Sequence, residues 1–176
     1  MKFLIAYSSA RGTVAGLATS IAEELRYQNH HVVLLPARTV TDITEYSAVI
    51  VGGGVYGDHW HHDAVAFVNH FAAELRKRPT WLFSVRSLHE DLAHELHAPI
   101  VDLTRAAATI DAVGIRSFDS RLHSTVSLDE TGISRLRRVG DWRDEVAVQE
   151  WVGEIERDRR IALLTSLGLE GFVPTS

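Results

Sequence analysis

The sequence predicts an α/β protein of three layers, with an open, parallel, five-stranded sheet in the order 2-1-3-4-5 and helices on both faces. Three observations carry that expectation. Short apolar runs alternate with segments of helical period, as strands joined by helical crossovers do. The runs are close to continuously apolar, which suits a sheet covered on both sides. And the first of them, Phe3 to Ala6, passes straight into a loop of hydroxyl residues and glycine that leads into a helix.

The strands are expected at Lys2 to Tyr7, His31 to Leu35, Ala48 to Val51, Trp81 to Val85 and Ala112 to Phe118. The first helix carries Val14, Leu17, Ala18, Ile21, Ala22 and Leu25 at offsets 0, 3, 4, 7, 8 and 11, a single apolar stripe at helical period. Ala64, Phe67, Val68, Phe71 and Leu75 repeat it in a second helix. Pro99 suits a first helical position, and Ile100, Leu103, Ala107 and Ile110 continue that third helix on one face. The last helix opens at Asp141, a suitable N-cap, and buries Val148, Trp151, Val152 and Ile155.

Composition narrows the setting. With 176 residues and 45% hydrophobic content, the chain supports one well-buried core and is short for two, so residues 1–176 read as one domain. Its core is expected over about 1–158, with 159–176 as a C-terminal extension. Eighteen basic and 23 acidic residues leave a net charge of −5, which argues against a nucleic-acid partner held by phosphate neutralisation. The absence of cysteine excludes disulfides, thiolate metal sites and thiol catalysis. Met1-Lys2-Phe3 runs directly into a strand, and no stretch is long and apolar enough for a signal peptide or membrane span, so a cytoplasmic, soluble protein is expected.

The loop Tyr7-Ser8-Ser9-Ala10-Arg11-Gly12-Thr13-Val14 is the first candidate site. Between a strand and a helix, its backbone N–H groups and the unpaired N–H groups of the first helical turn converge, and the helix dipole adds partial positive charge. No lysine follows Gly12, so a nucleoside-triphosphate loop is excluded; only Gly12 precedes Gly16, so a G-x-G-x-x-G dinucleotide fingerprint is absent. What remains suits one terminal phosphate, such as that of flavin mononucleotide, or else an ordinary tight turn at Gly12.

In the expected strand order, a ligand crevice opens at the carboxyl ends of the first and third strands. The third strand leads into Gly52-Gly53-Gly54-Val55-Tyr56-Gly57-Asp58-His59-Trp60-His61-His62, read as a loop in which glycines admit a ligand and aromatics supply flat faces. Tyr56 and Trp60 are the candidate walls for a flavin ring; the alternative is a glycine turn with Trp60 in the core. The fourth strand leads into a third loop, where Ser84, Arg86 and Ser87 offer donors to flavin carbonyls or to a substrate carboxylate, unless Arg86 is simply solvated.

Taken together, Phe3 to Val14, the strand end Val49-Ile50-Val51-Gly52 with Asp58-His59-Trp60-His61, Phe83-Ser84-Val85 and Gly140-Asp141-Trp142 resemble the flavodoxin family. Within it they are most similar to the menaquinone-dependent protoporphyrinogen oxidases of bacterial haem synthesis. The resemblance runs from Met1 to about Ile155. It implies a flavodoxin-like fold and bound FMN. The phosphate would lie on Ser9, Ala10, Arg11, Gly12, Thr13 and Val14, and the ring between Gly54, Val55, Tyr56, Gly57 and Trp60 on one side and Ser84, Val85, Arg86 and Ser87 on the other.

Two departures from the family pattern matter. The family loop carries a hydroxyl where this chain has Val14, which removes a side-chain donor to phosphate. At about 1 kcal/mol for such a bond, and more to a charged acceptor, the affinity for FMN falls about tenfold. The oxidases also carry a longer insert after the fifth strand, where this chain has only Asp119 to Gly140, which weakens the case for porphyrin binding and membrane docking.

His59, His61 and His62 cluster, but no carboxylate or cysteine pattern completes a tetrahedral site, and no metal is expected. His61-His62-Asp63 also reads as a helix start. The resemblance makes His59 and His61 weak candidates for proton handling beside a flavin. His89, His94 and His97 do not share a helical face and read as a loop. Arg135, Arg137 and Arg138 form either a solvated face or a patch for an anionic lipid or propionate, so peripheral membrane contact stays open. Leu163, Leu164, Leu167 and Leu169 suggest a helix extension ending at Gly168. The expected role is an FMN-binding oxidoreductase, serving a redox partner or a quinone and porphyrin pair. The alternatives are an electron carrier without a small-molecule substrate and a flavin-free interaction domain.

Overall fold

The computed structural model describes residues 1–9, 12–87, 100–120 and 142–166. Strands and helices alternate: β1 (Lys2–Ser8), α1 (Thr13–Tyr27), β2 (His31–Pro36), a 3₁₀ turn (Ala37–Thr39), β3 (Ala48–Tyr56), β4 (His59–Trp60), α2 (His62–His70), α3 (Ala72–Leu75), β5 (Thr80–Ser87), α4 (Val101–Ile110), β6 (Gly114–Ser120) and α5 (Trp142–Ser166). Five strands run parallel in the order β2-β1-β3-β5-β6, and the two-residue β4 pairs antiparallel with β3. Counted over the five long strands, this is the order 2-1-3-4-5.

Strand alternation sorts the core into two layers. Leu4, Ala6, Val49, Val51 and Leu82 face α2, α3 and α4, packing against Phe67, Val68, Leu75 and Leu103. Phe3, Ile5, Ile50, Trp81 and Phe83 face α1 and α5, against Ile21, Leu25, Trp151 and Ile155. Both halves of the sheet are therefore sealed, and each buried Leu, Ile or Phe contributes about 1.5–3 kcal/mol. The stripe of α1 is buried at Val14, Ala18, Ile21, Ala22 and Leu25, and that of α5 at Val148, Trp151, Val152 and Ile155, as their spacing predicts. Near its far end α5 is held to the sheet by polar bonds: His30 Nε2 lies 2.8 Å from Glu156 Oε1, and Trp81 Nε1 donates to Asp158 Oδ2 at 3.2 Å.

Several boundaries differ from those expected. β3 continues five residues past Val51, so most of the glycine run is strand and not loop; parallel pairing with β5 through Val55↔Arg86 accounts for it. β5 likewise runs on to Ser87. The second helix breaks at Phe71, whose ψ of 17° ends α2 before α3 begins, while its ring stays buried. Ile100 precedes α4 in extended conformation, and its carbonyl accepts from Thr104 N at 3.0 Å. No helix among the described residues is long and apolar enough to cross a membrane. Pro99, Asp141, Gly168, the three histidines 89, 94 and 97, the arginines 135, 137 and 138, and the segment 121–141 lie outside the described residues.

Candidate functional site

The site begins where β1 ends. Ser8 is the last residue of β1 and pairs with Gly53 of β3. Ser9 Oγ then accepts from Gly12 N at 2.9 Å, closing a tight loop. Gly12 sits at φ +84°, a left-handed conformation that glycine takes at no steric cost, and α1 starts at the next residue. The first intrahelical bond is Gly16 N to Gly12 O, so the N–H groups of Thr13, Val14 and Ala15 have no acceptor within the helix. No side chain caps this end and its first turn holds no acidic residue. Beside it, Ser8 is 3% exposed, and its buried hydroxyl has no hydrogen-bond partner among the described residues. A buried, unpaired hydroxyl costs about 1–3 kcal/mol unless something else pairs it. An anion seated on the open α1 terminus has the chemistry this end lacks.

Beyond Ser8, β1 no longer accompanies β3. With β5 on the other side of β3, β4 takes over the edge that β1 leaves, through Val55↔Trp60 and Tyr56↔His59, and His61 N donates to Gly54 O at 2.9 Å. The turn between them is Gly57-Asp58, with Gly57 at φ +60°, as a tight two-residue hairpin needs. The crevice at the switch point thus lies between the α1 terminus and this hairpin, with Arg86 and Ser87 at the end of β5 on the hairpin's far side.

The hairpin corrects the assignment of ring walls. Trp60 is 2% exposed, packs in the core, and donates Nε1–H to the Phe83 carbonyl at 3.2 Å; it has no face to offer a ligand. Tyr56 is 42% exposed at the tip, and its ring lies edge-on to His61 with centroids 5.7 Å apart. Two of the glycines serve the core as well. A Cβ on Gly52 would lie 1.9 Å from Phe83 Cζ, and one on Gly53 2.6 Å from Trp60 Nε1, so both make room for aromatic rings of the core and not for a ligand. Gly54 lies under the Tyr56 ring, which a Cβ there would approach to 3.1 Å.

Other expected contacts divide similarly. Val14 is buried in the core under α1, so its side chain is turned from the phosphate loop and only its N–H is available there. A hydroxyl at this position would point into the core, and the expected tenfold loss of affinity has no structural basis. Ser84 is fully buried with Oγ 3.0 Å from Ser117 Oγ, Val55 pairs with Trp60, and Val85 packs in the core; none presents a side chain to the crevice. Arg86 is half-buried, one residue before the end of β5. Ala10 and Arg11 lie outside the described residues.

The histidines have defined places. His61 caps α2: its Nδ1 accepts from Asp63 N at 3.2 Å, and burial holds its pKa below the ordinary histidine value, helped by the neighbouring His62 and opposed by Asp63. His59 is exposed and its Nδ1 lies 2.8 Å from Asp102 Oδ2 in the first turn of α4. No metal is expected from the sequence, whose spacing does not group Asp63 with the histidines as ligands. The ligand atoms of His61, His62 and Asp63 nevertheless come within 4.8 Å of one another. His61 and His62 each already engage Asp63, at 3.2 and 3.0 Å, and the positive end of α2 opposes a cation there.

The model of the flavodoxin domain family matches residues 4–114, well over half of the chain. The protein belongs to the flavodoxin family. FMN is the cofactor that this membership implies, and the open α1 terminus with its unpaired buried hydroxyl fits the phosphate end of that group. Among solved structures, the chain is similar to the rubredoxin oxygen:oxidoreductase of Desulfovibrio gigas, with 14% identity, a TM-score of 0.65, and coverage of 92% of this chain and 37% of that one. An archaeal flavodoxin aligns at 12% identity and TM-score 0.60 over 89% of this chain and 99% of its own. A flavodoxin variant from Pseudomonas aeruginosa aligns at 13% and 0.58, over 90% and 98%. At such identities these likenesses establish the fold. The protoporphyrinogen oxidase branch receives no support from them, and no curated protein matches the chain.

Proposed function

We propose that this flavodoxin-family protein binds FMN at the β1/β3 switch point and works as an electron-transfer protein. The observation that carries the reading is the uncapped N-terminus of α1 next to the buried, unpartnered Ser8 hydroxyl. The phosphate is held by the N–H groups of Thr13, Val14 and Ala15 and by the hydroxyls of Ser8 and Ser9, with Gly12 keeping the loop tight. Tyr56 at the hairpin tip flanks the ring on one side, and the strand end Arg86-Ser87 supplies the other. The bound flavin supplies the electron chemistry, while the protein fixes its position and surroundings.

The protein as purified is expected to be yellow and to release FMN on denaturation. Apoprotein that FMN cannot titrate, by quenching of flavin fluorescence, would overturn the reading and leave an interaction domain. The likeness to two flavodoxins, each matched over nearly its whole length, supports a carrier exchanging electrons with partners, and the chain spans 37% of the rubredoxin oxygen:oxidoreductase it resembles. Protoporphyrinogen oxidation with a quinone acceptor is the narrower reading. It rests on the sequence resemblance alone, and anaerobic turnover of protoporphyrinogen with a menaquinone analogue is its test.

A further inference from the structure

We infer that Asp102 is a positioning residue of the cofactor site, acting through His59 on the hairpin tip that carries Tyr56. The inference rests on the FMN reading above. Tyr56 and His59 are direct cross-strand partners on either side of Gly57-Asp58, so whatever fixes the His59 backbone fixes that of Tyr56. The tip stands at the surface and beside α4. β4 is two residues long, Tyr56 to His59 are all exposed, and the buried anchor, Trp60, lies behind them.

The bond from His59 Nδ1 to Asp102 Oδ2, at 2.8 Å, ties this tip to the body of the protein. Its acceptor is well placed. Asp102 lies in the first turn of α4, where the helix dipole favours a carboxylate, and α4 is fixed by the buried Leu103, Ala106 and Ile110. Donation from Nδ1 to a carboxylate also sets the ring's orientation and, in the neutral form, its tautomer. Asp102 is remote in sequence and, among the described residues, its hydrogen bond to the tip is the one to this histidine, so the geometry makes it a tether and not a ligand.

The experiment combines amide hydrogen exchange on the apoprotein with FMN titration. Asp102→Ala is expected to speed exchange at residues 56–61 and to weaken FMN binding by about twofold to fivefold, the range of one lost exposed ion pair. His59→Ala should do the same, and the double variant should do no more. Asp102→Asn, whose amide oxygen still accepts from Nδ1–H, should restore most of both effects. A purely structural role for Asp102 is separated by the Tyr56→Ala background, in which Asp102→Ala should no longer change FMN affinity. Unchanged exchange in Asp102→Ala overturns the tether. Wild-type affinity in Asp102→Ala, or an equal loss in the Tyr56→Ala background, overturns the positioning role while leaving the FMN reading intact. A wild-type protein that binds no FMN overturns that reading and this inference with it.

Discussion

Two glycine-bearing stretches end neighbouring strands, and they serve opposite purposes. After β1, Gly12 holds a left-handed turn, and among the described residues no side chain comes within 4 Å of where its Cβ would be. Around it stand helix N–H groups without an acceptor in the helix and the Ser8 hydroxyl that no described protein group satisfies. In β3, Gly52 and Gly53 lie inside the sheet, their missing side chains replaced by the rings of Phe83 and Trp60. One stretch is polar and uncommitted; the other is filled. Glycine next to an apolar run therefore signals close approach, but what approaches is decided by the neighbouring strands.

The sharpest way to break this contrast is Gly12→Asp. A carboxylate at the phosphate loop, on a residue with φ +84°, should weaken FMN binding at least a thousandfold, about 4 kcal/mol, while chemical denaturation of the apoprotein moves far less. Retained affinity in a titration would remove the phosphate from this loop. Gly52→Ala should show the reverse. Its Cβ would overlap the Phe83 ring, so global stability should fall by about 3 kcal/mol in urea unfolding, and Phe83→Leu in the same chain should recover part of it. A stable Gly52→Ala protein would mean that the strand does not pack against Phe83 as described.

Smaller effects sharpen the assignment of donors. Ser8→Ala removes a buried hydroxyl without a partner, so the apoprotein should be as stable as wild type or more so, while FMN affinity falls about tenfold. A loss of apoprotein stability would show that the hydroxyl is paired within the protein. Val14→Thr places a hydroxyl in the core under α1, and should cost about 1–2 kcal/mol of stability with no gain in FMN affinity. Tighter binding would bring that side chain back to the phosphate.

The smallest expected effect concerns the cap of α2. Because the folded-state pKa of His61 is lowered by burial, the unfolded chain binds the proton more readily, and stability is lost as pH falls below the unfolded value near 6.5. Protonation also ends acceptance of the Asp63 N–H. His61→Ala should therefore cost about 1 kcal/mol at pH 8, and the gap from wild type should narrow at pH 5. A gap that stays constant with pH would deny His61 the cap.

The apolar runs and the stripe of Val14, Ala18, Ile21 and Leu25 depend on burial and period alone, which local sequence encodes; strand order followed from their number and alternation. The loop proposed for the phosphate was legible as a connection for the same reason, since strand, hydroxyls, glycine and helix follow one another within a dozen residues. Boundaries and donors were less so. How far β3 runs past Val51 depends on β5 lying alongside it, and whether Ser84 offers its hydroxyl depends on Ser117 across the sheet. Ser8 stood within the loop as read, but only its burial shows that its hydroxyl lacks a partner.

The sequence by itself determined the alternation of strands and helices and the loop between β1 and α1, because each rests on contacts between residues near in the chain or on periodicity. Only the tertiary structure decided which aromatic is exposed at the hairpin, Tyr56 and not Trp60, and which residue His59 meets, Asp102. Those choices are made by partners more than twenty residues away, brought together by packing that no local pattern records.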